Sequence, residues 1–255
     1  MTKTNITIEY VWIDGQESQS LRSKTRILHV DLRRYSNLES YIGETPRLVS
    51  FTDLEKIPIW DFDGSFTNQK CGDEPKCILR PIKLYKESDN YIALCEVYNM
   101  DDKPVSSNYR WKLKSKKLSK TELNVKQEFI IWNDIRTAQN DFYCGVANYG
   151  KYIIDEYLKS CSELKILIDE IYSTEYRGKW IYQLSSDDAL SISDDLWISR
   201  FMLYNTCNKN REIGLFDPNK ISVYSIPLKL HIKFKDKLFV FNGQDDPYKM
   251  FCDLM

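Results

Sequence analysis

The segment GKWIYQL, residues 178–184, predicts a β-strand in the second half of the chain. Aromatic and β-branched residues are frequent in it, and such residues favour strands over helices. An apolar residue, Ile181, stands in the middle of the segment between the polar residues Lys179 and Gln183. The strand pattern alone does not explain an apolar side chain at this position, so we compare it with the motifs elsewhere in the chain.

The sequence on both sides of this strand predicts a unit that mixes helices and strands. Apolar residues recur at helical spacing in KYIIDEYLKSCSELK, residues 151–165, which indicates an amphipathic helix. A second helix is predicted over 194–207, with Ser193 or Asp194 as its N-cap. The remaining elements are strands over 122–132, 164–172 and 179–185, one or two strands within 228–241, and a short helix from Asp246.

The N-terminal part predicts a smaller, β-rich unit. Alternating segments predict strands over 4–14, 24–32 and 91–99. A loop punctuated by Pro, Gly and Asp covers 58–76, and a turn follows the third strand at MDDKP. This part of the chain is therefore expected to fold as a small sheet.

The segment RWKLKSKKLSK, residues 110–120, carries six basic residues among eleven. It is either a phosphate-binding patch or a solvated linker, and its position between the two units favours the linker. The sequence therefore predicts a first domain over 1–109, a linker over 110–121 and a second domain over 122–255.

Composition excludes several classes of protein. The chain has 255 residues, 42% of them hydrophobic and 29% charged, which is typical of a globular protein. The net charge of −1 lacks the basic excess of a nucleic-acid-binding protein, and no apolar run is long enough to cross a membrane. Seven Cys without a CxxC pair indicate reduced thiols and a cytoplasmic location.

Several longer motifs are specific enough to compare with known families. They follow one another along the chain as EYVWIDGQESQSLRSKTR (9–26), IPIWDFDGSFTNQ (57–69), LCEVYNMDDKP (94–104), YCGVANYGK (143–151), GKWIYQL (178–184), DDLWISRF (194–201) and FDPNKI (216–221). Together they resemble the motifs of glutamine synthetases of the eukaryotic type, among them W-x-FDGSST-x-Q, LCEVY, GQWEFQV and FDPKPI. By this resemblance the chain is identified as a shortened, degenerate homologue of that family.

The resemblance implies an α+β fold in two parts. The first is a β-grasp-like N-terminal domain. The second is a truncated catalytic domain of the guanido-kinase-like kind, a partial β-barrel with helices. In the family, subunits assemble into rings, and each active site lies between the N-terminal domain of one subunit and the catalytic domain of the next.

The end of the catalytic domain is expected to differ from the family. The chain is expected to pass almost directly from the strand that contains His231 to its closing helix. The family's intervening segment supplies the arginines that hold glutamate and ATP, a metal carboxylate and a flap glutamate. This segment is expected to be absent.

The family's reaction needs divalent cations. Its members phosphorylate the glutamate side chain with ATP, and ammonia then attacks; Mg²⁺ or Mn²⁺ ions are held by several Glu residues and one His. In the motif KQEF, residues 126–129, Glu128 matches one such carboxylate, but Lys126 replaces another. Thr174 and Ile181 replace two further ligands, whereas His231 is retained.

These replacements predict that the metal site is lost. Ile181 removes an oxygen ligand, and Lys126 adds a positive charge, which at about 4 Å repels a cation by a few kcal/mol near a protein surface. Glu128 and His231 alone are too few ligands for Mg²⁺, so both are expected to be vestigial. Glu128 is otherwise a polar strand residue paired with Lys126 or Lys229, and His231 an ordinary strand residue.

Asp63, in the motif DFDGSF, matches the residue that the family presents to the ammonium site of a neighbouring subunit. It is the only catalytic position that the resemblance assigns here, and it is expected to be vestigial. Asp-Gly is also a common turn, so the structure of a loop explains its presence equally well.

The sequence thus predicts a protein that resembles a glutamine synthetase but has lost glutamate–ammonia ligase activity. It is expected to form homo-oligomers or to co-assemble with an authentic glutamine synthetase, without nucleic acid, membrane or cofactor. The alternative is a minimal enzyme that still binds ligands or makes glutamine with ATP and Mg²⁺ or Mn²⁺. A third hypothesis is a purely structural role.

Overall fold

The computed structural model describes residues 3–31, 57–70, 72–87, 90–116, 120–132, 142–217 and 228–254. The contacts between them divide the chain into two units. The first comprises Met1–Gly15 and Leu21–Ser107, and the second comprises Gln16–Ser20 and Asn108–Met255. β-Sheet predominates in the first unit, whereas strands and helices combine in the second, and the α+β class predicted from the sequence is confirmed.

The first unit is a five-stranded sheet. Its strands are β1 (Lys3–Ile13), β2 (Leu21–Asp31), β3 (Trp60–Asp63), β4 (Lys76–Glu87) and β5 (Asn90–Asn99), in the order β2-β1-β5-β4-β3. β1 and β5 run parallel, and the other neighbours are antiparallel. Ile8 and Tyr10 of β1 are fully buried and form a core with Leu79 of β4 and Ala93 of β5.

The second unit is an antiparallel sheet with helices packed against it. Its strands are β6 (Leu123–Trp132), β7 (Glu170–Ser173), β8 (Lys179–Ser186), β9 (Ile213–Leu215), β10 (Lys229–Phe234) and β11 (Lys237–Asn242). Their order is β11-β10-β6-β8-β7, and β9 pairs with β6. The helices are α1 (Tyr109–Ser115), α2 (Lys151–Glu163), α3 (Ala189–Lys209) and α4 (Pro247–Leu254).

The strands of this sheet separate their side chains between two faces, because successive residues of a strand point in opposite directions. Gln127 of β6 lies on the face towards α3, where its Oε1 accepts hydrogen bonds from Arg200 Nε at 2.9 Å and Nη2 at 2.6 Å. Tyr182 of β8 lies on the same face, with its hydroxyl 2.8 Å from Ser199 Oγ. The residues next to them, Glu128 and Ile181, therefore point to the opposite face.

Most of the elements predicted from the sequence are confirmed. The strands predicted at 4–14, 24–32, 91–99, 122–132 and 179–185 correspond to β1, β2, β5, β6 and β8, and the predicted helices correspond to α2 and α3. The segment 228–241 forms two strands, and α4 begins directly after Asp246.

Three local predictions were wrong. The strand predicted over 164–172 is confined to β7, because the chain leaves α2 through Lys165 with a positive φ of 61°. The loop predicted over 58–76 contains β3 and a 3₁₀ helix, Gly64–Thr67. The N-cap of α3 is Asp188, whose Oδ1 accepts the N–H of Leu190 at 2.9 Å; Ser193 and Asp194 are buried inside the helix.

The segment 110–121, predicted as a solvated linker, begins with a helix, and most of its described residues are exposed. α1 occupies its first part, and Leu113 is fully buried. Arg110 forms a two-pronged ion pair with Asp194 of α3, with Nε–Oδ1 at 2.8 Å and Nη2–Oδ2 at 3.0 Å. Residues 117–119 lie outside the described part, and the domain boundaries at 109 and 122 stay a prediction. None of the described helices is long and apolar enough to cross a membrane.

Candidate functional site

A cleft of about 450 Å³ opens on the face of the second sheet that Glu128 and Ile181 share. Five strands contribute to it, and its side chains are charged, amide and apolar. They are Asn124, Lys126, Glu128, Tyr172, Ile181, Gln183, His231, Lys233 and Leu238. We refer to this site as the cleft.

The register of the strands places these residues side by side. Lys126 of β6 lies opposite His231 of β10 on one side and Gln183 of β8 on the other. Glu128 lies opposite Ile181. Directly opposed residues of an antiparallel pair have Cβ atoms about 5 Å apart, so residues distant in sequence form one surface.

Glu128 is held by three groups of the chain itself. Its Oε2 lies 3.0 Å from Nζ of Lys179 and accepts the backbone N–H of Lys229 at 3.1 Å. Its Oε1 lies 3.1 Å from Nε2 of His231. The side chains of Glu128 and Lys179 are each only 10% exposed. Both carboxylate oxygens are thus occupied by internal partners.

The surroundings of Glu128 also favour its ionised form. Burial raises the pKa of this carboxyl, but hydrogen bonds from His231 and Lys179 and their charges together outweigh burial, and the pKa lies below its ordinary value. A carboxylate that stays ionised needs a permanent positive partner, and the Lys179 ammonium supplies it.

Lys126 is directed towards β7. Its Nζ lies 3.2 Å from Oε2 of Glu170 and 5.9 Å from the ring centre of Tyr172. The side chains of Lys126 and Glu170 are 39% and 53% exposed, so this ion pair is largely solvated. Lys126 therefore contributes a partly exposed cation to the cleft instead of a buried one.

Thr174 does not line the cleft. It lies in the turn between β7 and β8, where its N–H donates to the carbonyl of Lys179 at 2.9 Å. Its hydroxyl accepts the N–H of Tyr176 at 3.2 Å. Its neighbour Glu175 is exposed in the same turn. Thr174 thus serves the turn itself.

Asp63 caps a 3₁₀ helix in the first unit. Its Oδ1 accepts the N–H of Ser65 at 2.9 Å, and this backbone hydrogen bond lowers the pKa of the exposed carboxyl. The turn role inferred from the Asp-Gly pair accounts for this geometry. The assignment of Asp63 to an ammonium site stays a prediction.

Two of the side chains that line the cleft, Glu128 and His231, are of the types that commonly bind divalent cations. Within the described ranges, no three His, Cys, Asp or Glu side chains come together in a group that is able to hold a metal ion. Mg²⁺ takes six ligands in near-ideal octahedral geometry, commonly one or two carboxylates together with waters and substrate phosphates. Glu128 and His231 supply two donors that already bind each other, and Ile181 supplies none.

Comparison with known proteins identifies the relatives of this chain. No family model matches it. A glutamine synthetase of Streptomyces viridochromogenes is 29% identical over 235 residues, which cover 84% of this chain and 63% of the relative. The glutamine synthetase of Rattus norvegicus is 27% identical over 85% of this chain and 58% of its own length. The chain is a homologue of the glutamine synthetases.

Solved structures agree with the sequence comparison. A glutamine synthetase of Plasmodium falciparum superposes with a TM-score of 0.64, at 12% identity, over 91% of this chain and 52% of the other. A structure described as a GmaS/ADP complex gives a TM-score of 0.60 at 13% identity. At such identities the likeness concerns the fold. The chain spans less than two thirds of the length of these glutamine synthetases.

The glutamine synthetase homologue brings most of its predicted site residues together. Lys126, Glu128, Ile181 and His231 all line the cleft, and Thr174 does not. The expected pairing of Glu128 with Lys126 was wrong, because the cation at its carboxylate is Lys179. Lys229 contributes its backbone N–H.

Lys179, the ion-pair partner of Glu128, was missed by sequence reasoning, although the signal for it is present. The phrase GKWIYQL has Lys where the resembling phrase GQWEFQV has Gln. Residues 179, 181 and 183 share one face of a strand, because its side chains alternate with a period of two. Lys179 was therefore predictable as a neighbour of the position that Ile181 occupies.

Proposed function

We propose that this protein has the fold of a glutamine synthetase without its ligase activity, and that it acts in the cytoplasm through assembly with other subunits. The observation that carries the first part is the cluster of Lys179, Glu128 and His231. A divalent cation that binds Glu128 has to displace an ion pair whose two side chains are each 90% shielded from water. The protein ligands available to the cation at this position are then one carboxylate, of Glu128, and one imidazole, of His231.

The charges around Glu128 also oppose the binding of a divalent cation. Lys126 precedes Glu128 by two residues on the same face of β6, at a Cα separation of about 7 Å. A dication at Glu128 is repelled by both Lys126 and Lys179, and Ile181 offers it no oxygen. Phosphoryl transfer depends on cations that position ATP and neutralise its charge, so ligase chemistry lacks its principal requirement here.

The second part of the proposal, assembly, rests on the likeness to a family whose subunits form rings. Such a subunit occupies its place through its surface and does not need an intact cleft. The partners proposed are further copies of this chain or an authentic glutamine synthetase, whose activity the association would change.

The ligase part is tested by formation of γ-glutamyl hydroxamate from ATP, glutamate and hydroxylamine with Mg²⁺ or Mn²⁺. We expect no product above a blank without protein, while an active glutamine synthetase in the same buffer supplies the positive control. Product formation that disappears in Glu128→Ala contradicts the proposal and indicates a minimal ligase.

A metal-binding experiment tests whether the cleft has lost the divalent-cation site, which is the physical reason proposed for the lost activity. Mn²⁺ is titrated into the chain and free Mn²⁺ is followed by electron paramagnetic resonance. The wild type is expected to leave Mn²⁺ free, and the combined variant Lys126→Glu, Lys179→Gln, Ile181→Glu is expected to bind it. Tight binding by the wild type would show that Glu128 is available to a metal after all.

A further inference from the structure

We propose that the cleft binds a small organic carboxylate directly, through Lys126 and Lys233 and without a metal ion. The proposal deepens the proposed function and rests on it in one respect, since a cleft that held divalent cations would present a different set of charges. The ligand class follows from the charge balance, the register and the apolar walls of the cleft.

The cleft and its immediate pairs carry more positive than negative charge. Three ammonium groups, of Lys126, Lys179 and Lys233, face two carboxylates, of Glu128 and Glu170. Lys179 is committed to Glu128 in a shielded pair. The remaining balance is two lysines against the single, half-exposed carboxylate of Glu170. An anion is therefore the ligand that this surface attracts.

The two remaining lysines lie close enough to share one anion. Lys126 lies opposite His231, and Lys233 is two residues further along β10 on the same face. Diagonal neighbours of this kind lie about 7–8 Å apart, and long side chains reach across that distance. No ion pair of Lys233 is found among the described residues. A carboxylate is thus able to receive both ammonium groups.

Replacement of Glu170 by a ligand costs little. The ion pair between Lys126 and Glu170 is largely exposed, and exposed pairs contribute about 0–1 kcal/mol. A ligand carboxylate that Lys126 and Lys233 both contact makes two charge-assisted hydrogen bonds in exchange, which are stronger than neutral ones. Lys126 is therefore free to turn from β7 towards the ligand.

Apolar walls on both sides of the lysines indicate a ligand with an apolar body. Leu238 of β11 lies opposite Lys233, and Ile181 of β8 lies between Glu128 and Tyr172. Leu238 is 65% exposed, which leaves apolar surface for a ligand to cover. The volume of about 450 Å³ lies in the range of small-molecule sites. An aromatic or branched-chain carboxylic acid fits these conditions.

The test compares three probes by isothermal titration calorimetry in buffer with EDTA. They are 3-phenylpropanoate, its neutral amide 3-phenylpropanamide, and inorganic phosphate. We expect 3-phenylpropanoate to bind, the amide to bind at least tenfold more weakly, and the affinity for the carboxylate to fall with added salt. Lys126→Met and Lys233→Met are each expected to weaken it about tenfold, the effect of roughly 1.4 kcal/mol.

The matched control is Lys159→Met, which removes an exposed lysine of α2 outside the cleft and is expected to leave binding unchanged. Equal affinity for acid and amide, or unchanged affinity in both cleft variants, overturns the proposal. Phosphate that binds more tightly than the acid overturns the ligand class. Because the assay contains no metal and no ATP, its failure leaves the result of the hydroxamate assay intact.

Discussion

Lys179 is the residue on which the arrangement around Glu128 depends. In Lys179→Met, the carboxylate stays shielded from water but loses its permanent cation, and such broken pairs are costly. We expect the free energy of unfolding to fall by about 2–4 kcal/mol. Urea unfolding followed by tryptophan fluorescence measures this change.

Lys126→Met is the matched control for this prediction. It removes a lysine from the same face of the sheet, but its partner Glu170 is half exposed. The expected loss is less than about 1 kcal/mol. Equal losses in the two variants would mean that the shielding of the Lys179–Glu128 pair has no energetic consequence.

The stability contributed by Glu128 is expected to depend on pH. Its pKa in the folded protein lies below the value in the unfolded chain, about 4.3. The contribution is therefore fully present above pH 4.3 and is lost as the pH falls through the folded pKa. The stability difference between wild type and Glu128→Gln should be largest near pH 7 and shrink below pH 4. A stability difference between wild type and Glu128→Gln that stays constant from pH 7 to pH 3 would contradict this prediction.

The residues of the cleft show what the sequence was able to predict. The motifs located Lys126, Glu128, Ile181 and His231, because motif spacing survives substitution of the functional side chains. They did not show which cation meets Glu128, since that choice depends on side-chain direction and on the register of β8 against β6. The period-two rule puts Lys179 on the face of Ile181, but an exposed lysine and an ion-paired one look alike in sequence.

At the scale of elements, the buried carboxylate of Asp246 helps to join α4 to α3. Asp246 Oδ1 accepts hydrogen bonds from Trp197 Nε1 of α3 at 3.1 Å and from the N–H of Tyr248 at 3.0 Å. Burial raises the pKa of Asp246 to about 6, and these two hydrogen bonds, followed by the nearby Arg200 guanidinium, offset only part of that rise. The junction between the helices therefore changes charge near neutral pH.

The stability contributed by Asp246 depends on pH with the opposite sign to the stability contributed by Glu128. The pKa of Asp246 is higher in the folded protein than in the unfolded chain, about 3.9. Its contribution is full below pH 3.9 and is lost as the pH rises through about 6. Relative to Asp246→Asn, the wild type should lose stability between pH 5 and pH 7 in urea unfolding. A stability difference between wild type and Asp246→Asn that stays constant over this range would show that the carboxyl is ionised throughout.

The elements that sequence reasoning placed correctly are those with a strong period, such as α2 and β1. The elements it missed owe their form to tertiary contacts. α1 lies in a basic, linker-like segment, and the ion pair of Arg110 with Asp194 and the burial of Leu113 fix it in the second unit. β3 is too short to show a pattern and is defined by its pairing with β4.

At the scale of the whole molecule, two features favour self-association. The net charge of −1 at pH 7 gives little electrostatic repulsion between copies. The segment before α2 also exposes large apolar side chains, with Val146 93% and Phe142 87% exposed. Clustered apolar surface of this kind marks interaction sites in soluble proteins. A second copy of the chain is one of the two partners proposed for this assembly.

Light scattering after size exclusion tests this assembly. We expect the wild type to elute with a mass at least twice the 30.2 kDa of a single chain. Val146→Asp puts a charge on the exposed segment and is expected to lower that mass, because burial of an unpaired carboxylate opposes association. Leu167→Asp, at a 75% exposed position between α2 and β7, is the control and should leave the mass unchanged. A monomer mass for the wild type, alone and mixed with an active glutamine synthetase, would contradict assembly as its mode of action.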